Sequence, residues 1–286
     1  MFAPDQYTLL DFGHGRKLER FGPWILDRPA PVARRTAPRV PEQWKQAHSR
    51  FLRARSGAAG KWRDRVPVDD RWTVSWREEL HFELHRNPHG HVGLFPEQAA
   101  SWRWLQETIR RHGRALRVLN LFAYTGGSTL AAARAGARVT HVDAARNMVR
   151  RARMNAARSR LADAPIRWIA EDAQRFVDRE HRRGRRYDGI VLDPPTYGHG
   201  PRGEPWRLDD DLPRLLKSCW DGTEDGPLFF LLTCHRQGWT PSDMRRMLFD
   251  HAGLPDDRRW QFGYLELESA ERALLRSGLY ARWTIP

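Results

Sequence analysis

The sequence of 286 residues contains little cysteine and little lysine. Its two cysteines, Cys219 and Cys234, cannot form a disulfide framework and suit a reducing compartment. No apolar run approaches the roughly 20 residues that a membrane helix needs. The first residues also lack the basic-then-apolar pattern of a secretion signal. These absences exclude a disulfide-rich secreted protein and a helical membrane protein, and we expect a cytoplasmic location.

Basic residues dominate the charge, and almost all of them are arginine. The 49 Lys and Arg residues against 35 Asp and Glu residues give a formal net charge of +14. Between residues 134 and 186, fifteen arginines stand against six acidic residues. Such an excess predicts a cationic face that attracts nucleic acid. A solvated surface on a basic protein would have the same composition.

Hydrophobic patterning divides the chain into two regions. Residues 1–86 are predicted to form a β-rich accessory region, with strand-like runs "YTLLDFG", "RKLERFG" and "WILDRP" separated by glycine and proline. Near the end of this region Leu80, Phe82 and Leu84 face one way, and the polar residues between them, Glu83 included, face the other. This alternation predicts a half-buried strand.

From residue 87 to residue 286 the pattern is different. Apolar strand runs alternate five times with helical stretches, from "ALRVLNLFAY" before "GSTLAAARAG" to "PLFFLLTC" before "PSDMRRMLFDHAG". The alternation predicts an α/β, doubly wound (Rossmann-like) domain with a parallel sheet. The final runs, "WQFGYLELES" and "GLYARWTIP", predict two further strands, antiparallel at the edge of that sheet.

Polar residues follow four successive predicted strands of this domain. The first strand runs into Thr125-Gly126-Gly127 before a helix, the second ends at Asp143, the third in Glu171-Asp172 and the fourth in Asp193-Pro194-Pro195. Each signal alone is weak, because many strand-end loops are polar. Ligands in open α/β sheets bind beyond the carboxyl ends of the strands, so four such signals in register indicate a ligand site.

The glycine turn and the acids indicate which ligand this is. The turn lacks the G-x-G-x-x-G pattern of dinucleotide sites. An acid about 20 residues after the turn, as Asp143 is, commonly binds ribose hydroxyls. Glu171-Asp172 is placed to accept a hydrogen bond from an adenine amine. The sequence therefore predicts an adenosine-bearing cofactor without a pyrophosphate.

Three segments resemble motifs of a known family. "VLNLFAYTGGSTLAAARAGA", "VTHVDAARNMVRRARMNA" and "YDGIVLDPPTYGHG" look like those of class I S-adenosylmethionine-dependent methyltransferases. They resemble most narrowly the family of the bacterial large-subunit ribosomal RNA cytosine-5 and guanine-7 methyltransferases. The similarity runs from about Gly90 to the C terminus. Two features depart from it: Glu97-Gln98-Ala99 replaces an Asp-Gln-Arg run, and the amino-terminal RNA-binding module of the cytosine enzymes has no evident counterpart.

The resemblance implies a seven-stranded sheet and S-adenosylmethionine as the cofactor. Gly126 and its neighbours would surround the methionine part, Asp143 would bind the ribose and Asp172 would lie near adenine. The cofactor-binding set that it implies is Phe95, Gln98, Ala123, Tyr124, Thr125, Gly126, Gly127, Asp143, Ala144, Asp172, Ala173 and Asp193.

The methyl acceptor has two candidate routes, of which the first uses "DPPTY". There Asp193 and the Pro194 carbonyl would accept hydrogen bonds from an exocyclic amine, with Pro195 beside them and Tyr197 stacked on the base. Methyl transfer needs little acid–base help when the nucleophile lies in line with the sulfonium methyl. The alternative is a rigid turn in which Asp193 only lines the cofactor pocket.

The second route uses Cys234, in "LLTCHR", as a nucleophile. Methylation of pyrimidine carbon 5 requires a covalent thiolate adduct, and the cytosine-5 enzymes of the resembling family have a cysteine in a matching position. His235 could lower the thiol pKa, although neighbouring strand residues point apart. The alternative is a small apolar residue at a strand end. Cys219 lies in an apolar helical pattern and is expected in the core.

We therefore expect a methyltransferase that acts on a base of RNA, and the resemblance points to ribosomal RNA. One alternative is a protein or small-molecule acceptor, and another is a catalytically silent RNA-binding relative. His81, His85, His89 and His91 lack a partnering cysteine motif, so we expect no metal site there. We expect no membrane partner.

Overall fold

A computed structural model of the chain describes residues 1–54, 59–200, 203–223 and 226–285. These residues form two compact units, the first comprising Met1–Ala99 with Glu266–Ser277 and the second Ala100–Leu265 with Gly278–Pro286. Pro286 itself, the last residue of the predicted methyltransferase region, lies outside the described residues. None of the helices in the described ranges has both the length and the apolar character that crossing a membrane requires.

The described residues of Met1–Ala99 in the first unit form seven short strands. They are β1 (Tyr7–Gly13), β2 (Arg16–Phe21), β3 (Trp24–Pro29), β4 (Ser49–Arg53), β5 (Gly60–Asp64), β6 (Trp72–Trp76) and β7 (Leu80–Leu84). The first five form one sheet in chain order, and β6 pairs with β7. Pairing is antiparallel except between β3 and β4. The three strands predicted before Pro29 are confirmed, whereas β4 and β5 were not predicted.

The alternation predicted for β7 is only partly correct. Leu80, Phe82 and Leu84 are buried as expected. Glu83, expected on the solvated face, is buried as well, and its Oε1 lies 3.5 Å from the guanidinium of Arg71. An acid leaves water at a smaller cost when a cation faces it. The partner from outside the strand explains why the polar residue is tolerated there.

The seven-stranded sheet belongs mainly to the second unit, although residues 266–277, which join its last two strands, are counted with the first. Its strands are β8 (Arg117–Leu121), β9 (Arg138–Asp143), β10 (Ile166–Ala170), β11 (Gly189–Leu192), β14 (Phe229–Cys234), β15 (Gln261–Glu268) and β16 (Leu274–Thr284), in the spatial order β10-β9-β8-β11-β14-β16-β15. The first five strands in that order pair in parallel, and β16 pairs antiparallel to β14. The predicted doubly wound sheet, with its two added strands at one edge, is confirmed.

Helices precede, connect and follow the parallel strands. They are α1 (Ala99–Arg111), α2 (Gly127–Arg134), α3 (Arg146–Arg158), α4 (Ala173–Arg182), α5 (Leu208–Asp221) and α6 (Pro241–Arg246). The final helix is shorter than "PSDMRRMLFDHAG" suggests, because a π-helical turn at Met247–His251 follows α6. A small antiparallel hairpin, β12 (Tyr197–His199) and β13 (Pro205–Arg207), follows β11 and was not predicted.

The central strands of this sheet are covered on both faces. Every residue of β11 and of β14 is buried, as expected for parallel strands between two helical layers. Because both faces are covered, ligands can reach the sheet at the two ends of its strands, which are called its amino edge and its carboxyl edge below.

Candidate active site at the carboxyl edge of the sheet

The parallel order of β8, β9, β10, β11 and β14 brings most predicted site residues to one edge. The glycine turn follows β8, Asp143-Ala144 ends β9, Asp172-Ala173 follows β10 and Asp193-Pro194-Pro195 follows β11. Phe95 and Gln98 belong to the other unit. There Phe95 precedes the 3-10 turn Pro96–Gln98 and Gln98 ends it, with Gln98 buried and the Phe95 ring 5.4 Å from that of His91.

The turn after β8 is held in an unusual backbone conformation. Phe122 and Tyr124 have positive φ angles of 54° and 48°, and Gly126 has 95°. Such conformations are uncommon for residues with a side chain and persist where the surroundings impose them. Asp143 imposes part of this one, because its Oδ2 accepts a hydrogen bond from the Tyr124 N–H at 2.8 Å.

Asp143 links the ends of two neighbouring strands. Its second oxygen, Oδ1, accepts from the N–H of Ala145 at 2.9 Å. Burial raises the pKa of Asp143 above its ordinary value, and the two backbone hydrogen bonds oppose that rise. The carboxylate is therefore oriented by the backbone before any ligand arrives, with acceptor capacity left on both oxygens.

The two glycines of the turn are required by helix packing. A Cβ at Gly127 would lie 2.5 Å from the ring of Trp102 on α1, and one at Gly126 would lie 3.1 Å from the Cβ of Ala152 on α3. Asn155 on α3 also donates to the carbonyl of Thr125 at 3.0 Å. The glycine pattern thus has a structural cause within the unit, beside the ligand-binding cause inferred from the sequence.

The acids after β10 have partners within the protein. Asp172 caps α4 by accepting from the N–H of Arg175 at 2.9 Å. Glu171 accepts from the guanidinium of Arg179 at 2.5 Å. Ala173 is buried as the first residue of α4. Asp172 stays half-exposed, so its role toward adenine stays a prediction.

Asp193, after β11, is positioned by the neighbouring strand. Thr233 on β14 donates from Oγ1 to Asp193 Oδ1 at 2.7 Å, and His235 Nε2 lies 3.7 Å from the same oxygen. Sequence reasoning missed Thr233. Only the register of the folded sheet reveals it, because Leu192 pairs with Leu232 and the next residues are then neighbours.

The hairpin after "DPP" holds the predicted substrate residues. Trp206 donates from Nε1 to the carbonyl of Pro195 at 2.7 Å, and its ring lies 4.9 Å from that of Phe122. Pro194 is buried. Tyr197 is 58% exposed, with its hydroxyl 3.1 Å from His199 Nε2. The buried Trp206 therefore fixes the segment, while the Tyr197 ring is left accessible.

Cys234, the predicted nucleophile, is buried. It ends β14 on the face that carries Phe230 and Leu232, within a large hydrophobic cluster. Burial raises the pKa of its thiol to about 12. Cys219 lies in the same cluster, and burial raises the pKa of its thiol still further. Thr233, between Leu232 and Cys234, points instead toward Asp193.

The four histidines considered for a metal lie around β7 and the loop after it. Among residues 1–54, 59–200, 203–223 and 226–285, no group of three or more His, Cys, Asp or Glu side chains is arranged to hold a metal ion.

Comparison with known proteins identifies the family to which the chain is similar. A family model described as S-adenosylmethionine-dependent methyltransferase matches residues 34–247. A crystal structure of an S-adenosylmethionine-dependent methyltransferase from Agrobacterium tumefaciens is 35% identical, covering 98% of this chain and 90% of its own, with a TM-score of 0.89.

Curated relatives match over shorter stretches. Ribosomal RNA large subunit methyltransferase K/L from Shewanella sp. (strain ANA-3) is 31% identical over 43% of this chain and 17% of its own length. Ribosomal RNA large subunit methyltransferase I from Aeromonas salmonicida (strain A449) is 33% identical over 32% of this chain and 24% of its own. The matched stretches thus span about a fifth of the length of these relatives.

Proposed function

Because this chain belongs to the S-adenosylmethionine-dependent methyltransferase family, we propose that it methylates a base of RNA at a nitrogen atom. The net charge of +14 favours a polyanionic substrate. The names of the curated relatives favour ribosomal RNA, a substrate that would place the enzyme in the cytoplasm. In this proposal residues 87–286 carry out the transfer and residues 1–86 help to bind the RNA.

The hydrogen-bond acceptors at the carboxyl ends of the strands fit S-adenosylmethionine. Asp143, Asp172 and Asp193 are half-buried carboxylates at the carboxyl ends of three strands of one sheet. S-adenosylmethionine presents ribose hydroxyls, an adenine amine and an ammonium group, all of them hydrogen-bond donors, and supplies a methyl group on a cationic sulfur. Carboxylates accept from each of these donors, and together they would disfavour a pyrophosphate.

A nitrogen acceptor is favoured because Asp193, after β11, is accessible to a substrate, whereas Cys234, at the end of β14, is buried. Asp193 is half-exposed and is held by Thr233, and the Tyr197 ring near it in the chain is exposed. A base stacked on Tyr197 can donate an amine N–H to Asp193, which orients the nitrogen lone pair. Cys234, which a carbon-5 mechanism needs as a thiolate, is buried among apolar residues.

The expected behaviour of Cys234 variants follows from its pKa. Ionising a thiol with a pKa of about 12 at pH 7 costs about 7 kcal/mol, against about 2 kcal/mol for an ordinary cysteine. We expect Cys234→Ala to keep most of the wild-type kcat, measured with saturating RNA and cofactor. Cys219→Ala, at the other buried cysteine, controls for packing. A loss of roughly 1,000-fold or more in Cys234→Ala alone would restore the covalent carbon-5 mechanism.

The proposed function is tested by a transfer assay. Purified protein is incubated with methyl-labelled S-adenosylmethionine and, separately, with deproteinised total RNA, intact ribosomal subunits and RNA-free cell extract. We expect label in RNA, and nuclease digestion with chromatography to assign it to a base nitrogen. Label found only in protein or small molecules would show that one of these, and not RNA, is the methyl acceptor. Cofactor binding without labelling of any fraction would favour a silent RNA-binding relative.

A further inference from the structure

A groove lies at the amino ends of the parallel strands, whereas the candidate active site lies at their carboxyl ends. It is lined at the starts of β8, β9 and β10 and by the residues just before β11, and its volume is about 540 Å³. Ligand clefts are typically about 300–1,000 Å³. Five arginines line the groove: Arg117, Arg138, Arg167, Arg185 and Arg186.

One buried acid neutralises part of this charge. Glu180 on α4 is 1% exposed and accepts from the guanidinium of Arg167 at 2.8 Å, from that of Arg185 at 3.2 Å and from the Tyr187 hydroxyl at 2.8 Å. Desolvation would raise the pKa of Glu180, but hydrogen bonds from Tyr187 and Arg167 and the charges of Arg167 and Arg185 lower it below its ordinary value. The carboxylate is therefore ionised, and it fixes one wall of the groove.

Two other arginines of the groove keep their positive charge. Arg138 and Arg186 line the groove, and within the described part of the chain neither has an acidic partner. Arg117 shares Asp188 with Arg114, at 3.8 Å and 2.9 Å between guanidinium nitrogen and carboxylate oxygen. Cations gathered in a concave site repel one another unless an anion joins them. The arrangement is thus suited to a ligand that carries phosphate groups.

The edge strand beside the groove also carries an arginine and an aromatic ring. β10 is the last strand on this side and carries Arg167 and the half-exposed Trp168, with the guanidinium of Arg153 lying 6.0 Å from the Trp168 ring centre. A strand of five residues is roughly 16 Å long. Arginine and an exposed aromatic ring together bind the backbone and the bases of single-stranded nucleic acid.

We propose that this arginine groove binds phosphates of the RNA backbone, and that the RNA passes along β10 from the groove to the carboxyl edge. The inference rests on the proposed function, because it takes the methyl acceptor to be RNA. The groove would hold the substrate at a distance from the reacting base without contacting the cofactor.

The test compares two double variants that remove the same charge. Arg138→Ala with Arg186→Ala removes the two groove arginines without an acidic partner in the described part of the chain and leaves the residues bound to Glu180 unchanged. Arg246→Ala with Arg258→Ala removes two exposed arginines that do not line the groove. Affinity for a fluorescein-labelled single-stranded RNA of mixed sequence is measured at several salt concentrations. Calorimetry of S-adenosylmethionine binding serves as the check on folding.

We expect the groove variant to bind RNA several-fold more weakly. Its slope of log affinity against log salt should fall by about 0.7 for each RNA phosphate that the variant no longer neutralises. The control variant should keep the wild-type slope, and both should bind the cofactor normally. Equal losses in the two variants, or an unchanged slope in the groove variant, would overturn the proposal. So would ADP or inorganic phosphate binding that needs Arg138 and Arg186 while RNA binding does not.

Methyl transfer to RNA, assayed separately, distinguishes the two proposals. Transfer by the wild type with unchanged RNA binding in the groove variant would reject the groove and keep the function. RNA binding that depends on the groove, without transfer, would keep the groove and reject the function. A wild-type protein that binds no RNA would also overturn the groove proposal.

Discussion

Asp193→Asn is expected to lower kcat for RNA methylation by roughly 100- to 1,000-fold, the size of effect seen when one preorganised polar group is lost from a reacting centre. The asparagine keeps the shape of the side chain and can still accept from Thr233, which donates to Oδ1 at 2.7 Å. Its amide then presents N–H groups where the carboxylate offered an acceptor to the substrate amine. The acceptor nitrogen loses its orientation relative to the methyl group.

The measurement is single-turnover transfer of labelled methyl with saturating RNA and cofactor. Thr233→Val should give a smaller loss in kcat with little change in KM, because Thr233 positions Asp193 and does not touch the substrate. Asp209→Asn is the matched control, since Asp209 is an exposed acid paired with Arg236 at 2.7 Å. Near-normal turnover in Asp193→Asn, with or without weaker cofactor binding, would confine Asp193 to the cofactor pocket.

Much of the second unit could be predicted from the sequence because its signals are local. Apolar runs such as "YDGIVL" and "PLFFLLT" alternate with helical stretches, and short connections between them favour parallel, right-handed crossovers. Parallel strands end at one edge, so the positions of Asp143, Asp172 and Asp193 relative to the sheet follow from their places in the chain. The family then follows from the combination of motifs rather than from any one residue.

The partners of those acids could not be predicted, because they depend on register and on residues distant in the chain. Thr233 reaches Asp193 only because β11 and β14 are neighbours with Leu192 opposite Leu232. Trp206 reaches the carbonyl of Pro195 through a hairpin whose strands have three residues each. Such short strands have too few residues for an alternating pattern to be recognised.

The face of β14 on which Cys234 lies was hidden for a different reason. All six residues of "FFLLTC" are buried, so hydrophobic alternation carries no information about which face each side chain takes. The arginine-rich region was similarly ambiguous. Arg167 and Arg185 share Glu180, whereas Arg138 has no acidic partner within the described ranges. The amino-acid composition cannot distinguish a paired arginine from one without an acidic partner, so it could not predict where the positive charge remains.

Acid is expected to destabilise the protein through His141, a buried histidine that the sequence analysis did not single out. His141 lies on β9 with its Nδ1 2.8 Å from Thr129 Oγ1, and that oxygen also accepts from Asn120 Nδ2 at 2.8 Å. The Thr129 hydroxyl, with one hydrogen and two lone pairs, can hold this contact with either neutral tautomer of the His141 ring. Burial lowers the pKa of His141 to about 3, so the folded state holds the neutral ring down to strongly acid pH.

The sign of the effect follows from proton linkage. The unfolded chain protonates His141 near pH 6.5, whereas the folded state does so only near pH 3. Between these values the unfolded state binds more protons, so the free energy of unfolding falls as the pH falls, by about 1.4 kcal/mol per pH unit. From pH 6.5 to pH 4.5 this single residue should cost about 2 kcal/mol, and the loss should level off below pH 3.

His141→Asn separates this contribution from that of the acidic residues. Asparagine keeps an acceptor for Thr129 but does not titrate, so the variant should be less stable than wild type at pH 7 and lose less stability on acidification. Urea unfolding at several pH values measures the difference in slope, which should approach one proton. His89→Asn, at an exposed histidine, should keep the wild-type slope. Parallel pH profiles for wild type and His141→Asn would mean that His141 has the same pKa in the folded and unfolded states, and the neutral Asn120–Thr129–His141 chain at acid pH would then be wrong.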